Sequence, residues 1–349
     1  MKRMKKLSAV ILAAAMALSL TACSGSSEGG AAKQDKQAGA DTPITLKIAH
    51  GASETYHLHR ALLKFKDIVE ETGKFKVEIY PNQQFGSDGE MIEGVKTGDL
   101  TMAVSPSSYL TDECPSMSLI ELPYVYPNRE TALATLNGEW GQKELAELEK
   151  AGLHGLGYME NGMRHLTNSK KEIHLPADLN GMKVRTMQVE AHVDFWNSLG
   201  CSAEGSPFSE LYTNLSTGVF DGEENPIAHI YSQKFYEVQK YITLSEHVYC
   251  AYIPLVTTDF WNGLTEEQKT ILNDAFQQSY DYQMELVETE EESQLKEMET
   301  SGCIVTRLTD EEKQAFIEAA QPTLEKYREK VGAGVYDEFA QAVEKAAVK

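Results

Sequence analysis

The chain has 349 residues, with 32 Lys+Arg against 53 Asp+Glu and a formal net charge of −21. That acidity argues against nucleic acid or an anionic membrane face as partner, and it means any anionic ligand must be caught at a local cationic site against the overall field. The length suits two domains of ordinary size.

The first 23 residues read as an export signal. Lys2, Arg3, Lys5 and Lys6 form a basic start, and Leu7 to Leu20 is an apolar run too short and too poorly flanked to span a membrane. The run closes on "LTAC", where Cys23 follows small residues as in a bacterial lipobox whose cysteine becomes diacylated. The alternative is an ordinary secretory cleavage site. Residues 24–43, rich in Ser, Gly, Ala and Gln, read as a flexible tether. Removing the four basic leader residues leaves 28 basic against 53 acidic residues, a formal charge of −25. The expectation is an extracytoplasmic chain anchored by its N-terminal lipid to the cell membrane, in a periplasm or on a Gram-positive outer face.

From Ile44 onward the pattern is α/β. "TLKIAHG" alternates with Leu46, Ile48 and His50 on one face, which predicts a strand. Leu58, Leu62, Phe65 and Val69 then step along one helical face until Gly73, and "KVEIY" alternates again. "GSDGEMIEGVKTGDLTMAV" opens with the capping box Ser87-x-x-Glu90, stops at Gly98 and enters a strand. A related plan recurs in "SPFSELYTNLSTGVFDGEENP", with Ser206 as cap, Pro207 at the first helical position and Thr217-Gly218 closing the helix. Between Leu264 and Ser301 there is neither glycine nor proline, and Thr265 with Gln268 makes another capping box. A helix over this segment would be ~50 Å long, enough to cross both domains; two helices with an uncapped break are the alternative.

No G-x-S-x-G, P-loop, H-E-x-x-H or G-x-G-x-x-G is present, so the common motif-borne enzyme classes have no support. Cys114, Cys201, Cys250 and Cys303 lack metal-type spacing; disulfide pairing and isolated buried thiols both fit. What remains is a pair of arginines in strand-like segments, Arg164 in "NGMRHLTNS" and Arg185 in "LNGMKVRTMQ". A buried guanidinium must meet an internal carboxylate or an external anion, and an acidic chain can supply the former easily.

Lipobox, tether, "IAHGASETYHLHRALLKF", "YPNQQFGSDGEMIEGVKTGDLTM", "ELPYVY", "NGMRHLTNS", "LNGMKVRTMQ", "SPFSELYTNLSTGVFDGEENP" and "QKFYEVQKY" occur in an order that resembles the solute-binding proteins of tripartite ATP-independent periplasmic (TRAP) transporters, the DctP family. The resemblance covers the chain from Ile44. It implies a two-domain periplasmic-binding-protein-like (Venus flytrap) α/β fold with a long helix spanning both domains. The division would place residues 44–161 with about 250–290 in one domain and 162–249 with about 291–349 in the other. It also implies closure over a small organic acid, delivery to TRAP membrane permease subunits, a monomer, no cofactor and no catalysis.

By that resemblance Arg185 is the carboxylate clamp, Arg164 the second ligand-contacting arginine, Asn225 a carboxylate contact or an orienter of the arginine, and Phe208 a cleft aromatic. His50 stands where the first strand delivers a polar contact. The loop with Ser105 and Ser107 supplies a wall without the acidic residue found in relatives that bind amino-sugar acids. C4-dicarboxylates, uronates and other sugar acids all offer the carboxylate, and His50, Phe208 and Trp196 are candidates for choosing among them. A receptor of another uptake or sensing system, or a tethered hydrolase of acidic sugars, are the competing readings.

Overall fold

The computed structural model describes residues 42–348; the leader, Cys23 and nearly all of the expected tether lie outside the described residues. Ten strands share one sheet: β1 Ile44–His50, β2 Phe75–Tyr80, β3 Met102–Pro106, β4 Leu153–Gly155, β5 Met159–Asn168, β6 Lys183–Thr186, β7 Ser202–Gly205, β8 Gly222–Pro226, β9 Tyr241–Thr257 and β10 Ile304–Arg307. The order is β2-β1-β3-β9-β5-β8-β6-β7, with β4 and β10 also on β9. β1 pairs in parallel with β2 and β3, and β6 with β7 and β8. The antiparallel strands β9 and β5 join these two wings.

Each wing follows from its apolar pattern. In the first, the helix His57–Glu71 buries Leu58, Leu62, Phe65 and Val69, the stepping read in the sequence, against Leu46 and Ile48 of β1. The next helix, Asp88–Thr97, starts at the Ser87/Glu90 capping box and ends at Gly98, whose φ of 84° lies in the left-handed region that glycine enters at no steric cost. In the second wing, the turn at Gly181 (φ 76°) feeds β6, and Phe195 and Trp196 bury against Val184 and Leu166.

The helix expected over "SPFSELYTNLSTG" starts later than its sequence signals suggest. A tight turn covers Phe208–Glu210 and the helix proper is Leu211–Ser216, because Pro207 is extended (φ −54°, ψ 143°) and Ser206 caps nothing. The Ser206 carbonyl instead accepts hydrogen bonds from Arg185.

The segment after Leu264 is one helix of 35 residues, Glu266–Thr300, with the Thr265/Gln268 capping box in place. Leu272 and Ala275 near its start join the core of the first wing, and Met298 near its end joins Leu211 and Ile230 of the second. In between, Gln283 accepts the Glu160 N–H (3.0 Å) and donates to the Glu160 carbonyl (2.8 Å), so the helix is stapled to β5 between the wings. The last helix, Ala333–Ala347, places Phe339 and Val343 in one buried cluster with Leu136 and Trp140. All four cysteines of the described residues are free. No helix among the described residues is long and apolar enough to cross a membrane.

Candidate functional site

A cavity lies where the carboxyl ends of the parallel strands of both wings converge, the usual ligand position in α/β sheets. Including its mouth it has about 340 Å³ of empty space. Gly51 after β1, Asp88 after β2 and Pro106 with Tyr109 at and after β3 come from one wing. Arg185 and Met187 from β6 and beyond, Phe208 after β7, and Asn225 with His229 at and after β8 come from the other. Asn161, Arg164 and Tyr252 of the joining strands complete it.

The two arginines have different partners. Arg164, 1% exposed, is gripped side-on by Glu224: Nε lies 2.5 Å and Nη2 2.8 Å from the two carboxylate oxygens, and Nη2 also donates to the Glu224 carbonyl. Burial by itself would raise the Glu224 carboxyl, but Arg164, with His247 bonded at 3.0 Å and His192 nearby, outweighs it and holds Glu224 well below the usual carboxylate range. Arg185 is equally buried and has no carboxylate within ion-pair distance among the described residues. Its Nε and Nη2 both donate to the Ser206 carbonyl, at 3.0 and 2.5 Å, and Nη1 is buried with no partner. The side edge of this guanidinium is therefore pinned, and the end edge, Nη1 with the outer hydrogen of Nη2, remains unused in the cavity wall. Burial pulls the Arg185 pKa down, the signature of a cation short of counter-charge.

The walls around that edge are amphipathic. The Arg185 guanidinium carbon lies 5.8 Å from the Phe208 ring centre, and Phe208 stacks edge-on against His229 and Phe235. His229 lies flat on Tyr56 at 3.8 Å and meets the Tyr252 hydroxyl at 2.9 Å; its Nδ1 is buried without a partner. Burial, with the neighbouring His57 and the two arginines adding to it, keeps His229 neutral. Asn225 donates to Glu223 at 2.6 Å, and burial pushes that carboxyl up to about 7 against the bonds from Thr167 and Asn225. Tyr109 accepts the Gln188 N–H at 3.2 Å, so its hydroxyl proton is available to a ligand. Asp88 accepts from Gln83 at 3.0 Å, and burial raises it to about 6, opposed by Gln83 and Arg185.

Of the residues singled out from sequence, Arg185, Arg164, Asn225 and Phe208 are brought together in this cavity; His50, Ser105 and Ser107 are not among its lining residues. His50 shares a strand face with Leu46 and Ile48, so it turns toward the helix covering them and meets His59 at 3.0 Å. Ser107 donates to Glu121 at 2.8 Å, and Ser105 is fully buried. Trp196 lies in the core of its wing.

Asp88, Tyr109, Asn161, His229 and Tyr252 were not anticipated. Asn161 sits in the "NGMR" motif and Asp88 between the capping-box residues Ser87 and Glu90, where the local pattern assigns neither a role of its own. Gly162, between Asn161 and Arg164, has φ 131°, and a Cβ there would lie 3.1 Å from the Pro226 side chain, which explains a glycine at this position. Among the described residues no group of His, Cys, Asp and Glu is arranged to hold a metal ion.

Residues 48–330 match the family DctP, bacterial extracellular solute-binding protein, family 7. The C4-dicarboxylate-binding protein DctB of Bacillus subtilis (strain 168) is 33% identical over 296 residues, 84% of this chain and 85% of the relative. The sugar acid binding protein DctPAm of Advenella mimigardefordensis strain DPN7T, solved with galactonate, superposes with a TM-score of 0.84 at 31% identity over 87% of this chain and 99% of that one. A TRAP periplasmic solute binding protein from Polaromonas sp JS666, bound to D-erythronate, gives a TM-score of 0.81 at 30% identity over 85% and 98%. A two-winged α/β fold, a cleft cavity with a buried arginine lacking a counter-charge, and these similarities agree: the chain belongs to the DctP family of extracytoplasmic TRAP transporter solute-binding proteins.

Proposed function

We propose that this protein is a TRAP receptor, held at the outer face of the cell membrane by a lipid on Cys23, that captures a monocarboxylic sugar acid and hands it unchanged to the membrane permease. The observation that carries the reading is the unused end edge of Arg185. A guanidinium end edge matches a carboxylate through two parallel hydrogen bonds, which a lysine could not reproduce. Asn225 and Tyr109 serve the same carboxylate, and Phe208 covers it. Binding closes the two wings about β5, β9 and the long helix.

The charges of the cavity favour a hydroxylated monocarboxylate over a C4-dicarboxylate. Of its two arginines, Arg164 is already neutralised by Glu224, leaving one cation to spend. A second ligand carboxylate would face Asp88, whereas sugar hydroxyls would donate to Asp88 and bond His229 Nδ1. The two galactonate- and erythronate-bound relatives are in keeping with this choice, and the Bacillus relative's name points the other way.

Thermal unfolding of the exported chain against acids and their neutral amides tests it. Galactonate-type acids are expected to raise the midpoint, their amides to leave it unmoved, and Arg185→Ala to abolish the shift. Equal shifts with neutral mimics would refute the clamp, and turnover of a bound acid would favour a hydrolase.

A further inference from the structure

We propose that Gln83 is a positioning residue that couples the Asp88 carboxylate to closure of the cleft through a cross-cleft amide relay. This rests on the receptor reading above. Gln83 lies in the loop after β2, at one end of the sheet order, and Ser209 in the loop after β7, at the other. The Gln83 amide bridges them: Nε2 donates to Asp88 Oδ2 at 3.0 Å, and Oε1 accepts the Ser209 N–H at 2.9 Å. A planar amide has one donating and one accepting end. As long as Asp88 accepts from Nε2, Oε1 faces Ser209, the neighbour of the cavity aromatic Phe208.

The backbone supports a role beyond the turn. Asn82 and Gln83 both sit in the left-handed region, at φ 56° and 55°, where glycine is at ease and a glutamine is strained. The turn is tied to the end of β1 by Asn82 N–H to the Ala52 carbonyl (3.0 Å) and Gln83 N–H to the His50 carbonyl (3.2 Å), bonds a glycine would keep. Only the side chain distinguishes the two residues; Gln83 is 8% exposed, and its amide bonds one residue on each wing. A ligand hydroxyl that donates to the other side of Asp88 preserves the relay. A ligand group that displaces Gln83 from Asp88 releases the amide and with it the Ser209 contact, so Gln83 sorts ligands by whether the cleft stays shut.

The test compares Gln83→Gly and Gln83→Glu with the unaltered exported chain, using galactonate as probe. Gln83→Gly should leave the ligand-free unfolding midpoint unchanged or higher. It should weaken galactonate by about 3- to 10-fold, the effect of one neutral hydrogen bond, chiefly through faster dissociation. Gln83→Glu, whose carboxylate cannot donate to Asp88, should weaken it further. Small-angle scattering at saturating galactonate should show a larger radius for Gln83→Gly than for the unaltered chain, a readout of closure at full occupancy and not of affinity. A lowered midpoint with unchanged dissociation and radius would overturn the inference and leave Gln83 as a turn residue. Arg185→Ala separates the two levels: loss of galactonate binding there with no effect at Gln83 rejects only the relay, whereas retention at Arg185→Ala rejects the carboxylate clamp beneath it.

Discussion

Nε and Nη2 of Arg185 converge on the carbonyl oxygen of Ser206, at 3.0 and 2.5 Å, while Nη1 is buried with no partner. A neutral dipole thus holds a cation whose counter-charge is absent. Such an arrangement stabilises a bound anion and burdens the empty protein.

Arg185→Met should therefore separate stability from binding. The ligand-free chain is expected to gain about 1–3 kcal/mol in urea unfolding, since a buried unpaired charge is replaced by an apolar side chain. The roughly 2.7 kcal/mol that a ligand at 100 times its dissociation constant adds should vanish. Unfolding curves with and without galactonate read both numbers.

The opposite is expected at Glu224. Glu224→Gln leaves Arg164 buried without its carboxylate, a change that costs about 3–5 kcal/mol. Glu224→Gln combined with Arg164→Met should cost less than the sum of the single changes, because the pair acts as a unit. A strictly additive double-mutant cycle would show that the two side chains do not depend on each other.

Asp88→Asn should relax the discrimination against a second carboxylate. Removing the acid from the wall is expected to improve succinate relative to galactonate by at least about 10-fold, roughly 1.4 kcal/mol. Calorimetric titration with both acids measures the ratio, and an unchanged ratio would show that Asp88 does not set it.

Stability should peak near neutral pH and fall on acidification. Burial holds His50, His57 and His165 down to about 3, with His229 and His247 also lowered, all far inside the fold. Below their ordinary value of 6.5 the unfolded chain takes up protons that the native state refuses, so stability is lost as pH drops through that window. Burial raises Glu160 and Glu223 to about 7 and Asp88 to about 6, which works in the opposite direction as pH falls toward the unfolded carboxylate values. The histidines outnumber these acids, so the net slope between about pH 6.5 and 4.5 should be positive, at about 1.4 kcal/mol per pH unit for each unmatched histidine. Urea midpoints at a series of pH values check the sign.

Much of this was legible one segment at a time. The stepping of Leu58, Leu62, Phe65 and Val69, the capping boxes at Ser87/Glu90 and Thr265/Gln268, and the unbroken run to Ser301 are local signals, and local hydrogen bonding and burial obey them. The Leu211–Ser216 helix starts later than its local signals indicate because a distant arginine uses the Ser206 carbonyl, a competitor that no local pattern shows. His50 shares the face of β1 that its alternation with Leu46 and Ile48 indicates, but which face looks into the cleft depends on which one the helix covers.

The sequence by itself determined that two arginines would end in strands of an α/β fold and that each would need an anion. Which of them keeps an internal partner was decided by strand register together with the side chains packed around each pair. β5 and β8 pair so that Leu166 lies opposite Glu224 and Arg164 opposite Pro226, putting Arg164 within reach of a carboxylate 60 residues away in sequence. Arg185, two strands over from β5, lies opposite Glu223 and Glu204 in register, yet Glu223 is taken up by Thr167 and Asn225 and the guanidinium turns to the Ser206 carbonyl. A cross-strand register is a relation between distant segments fixed by the packing of the whole sheet, and so the ion pair, the unpaired arginine and the cavity between them exist only in the tertiary structure.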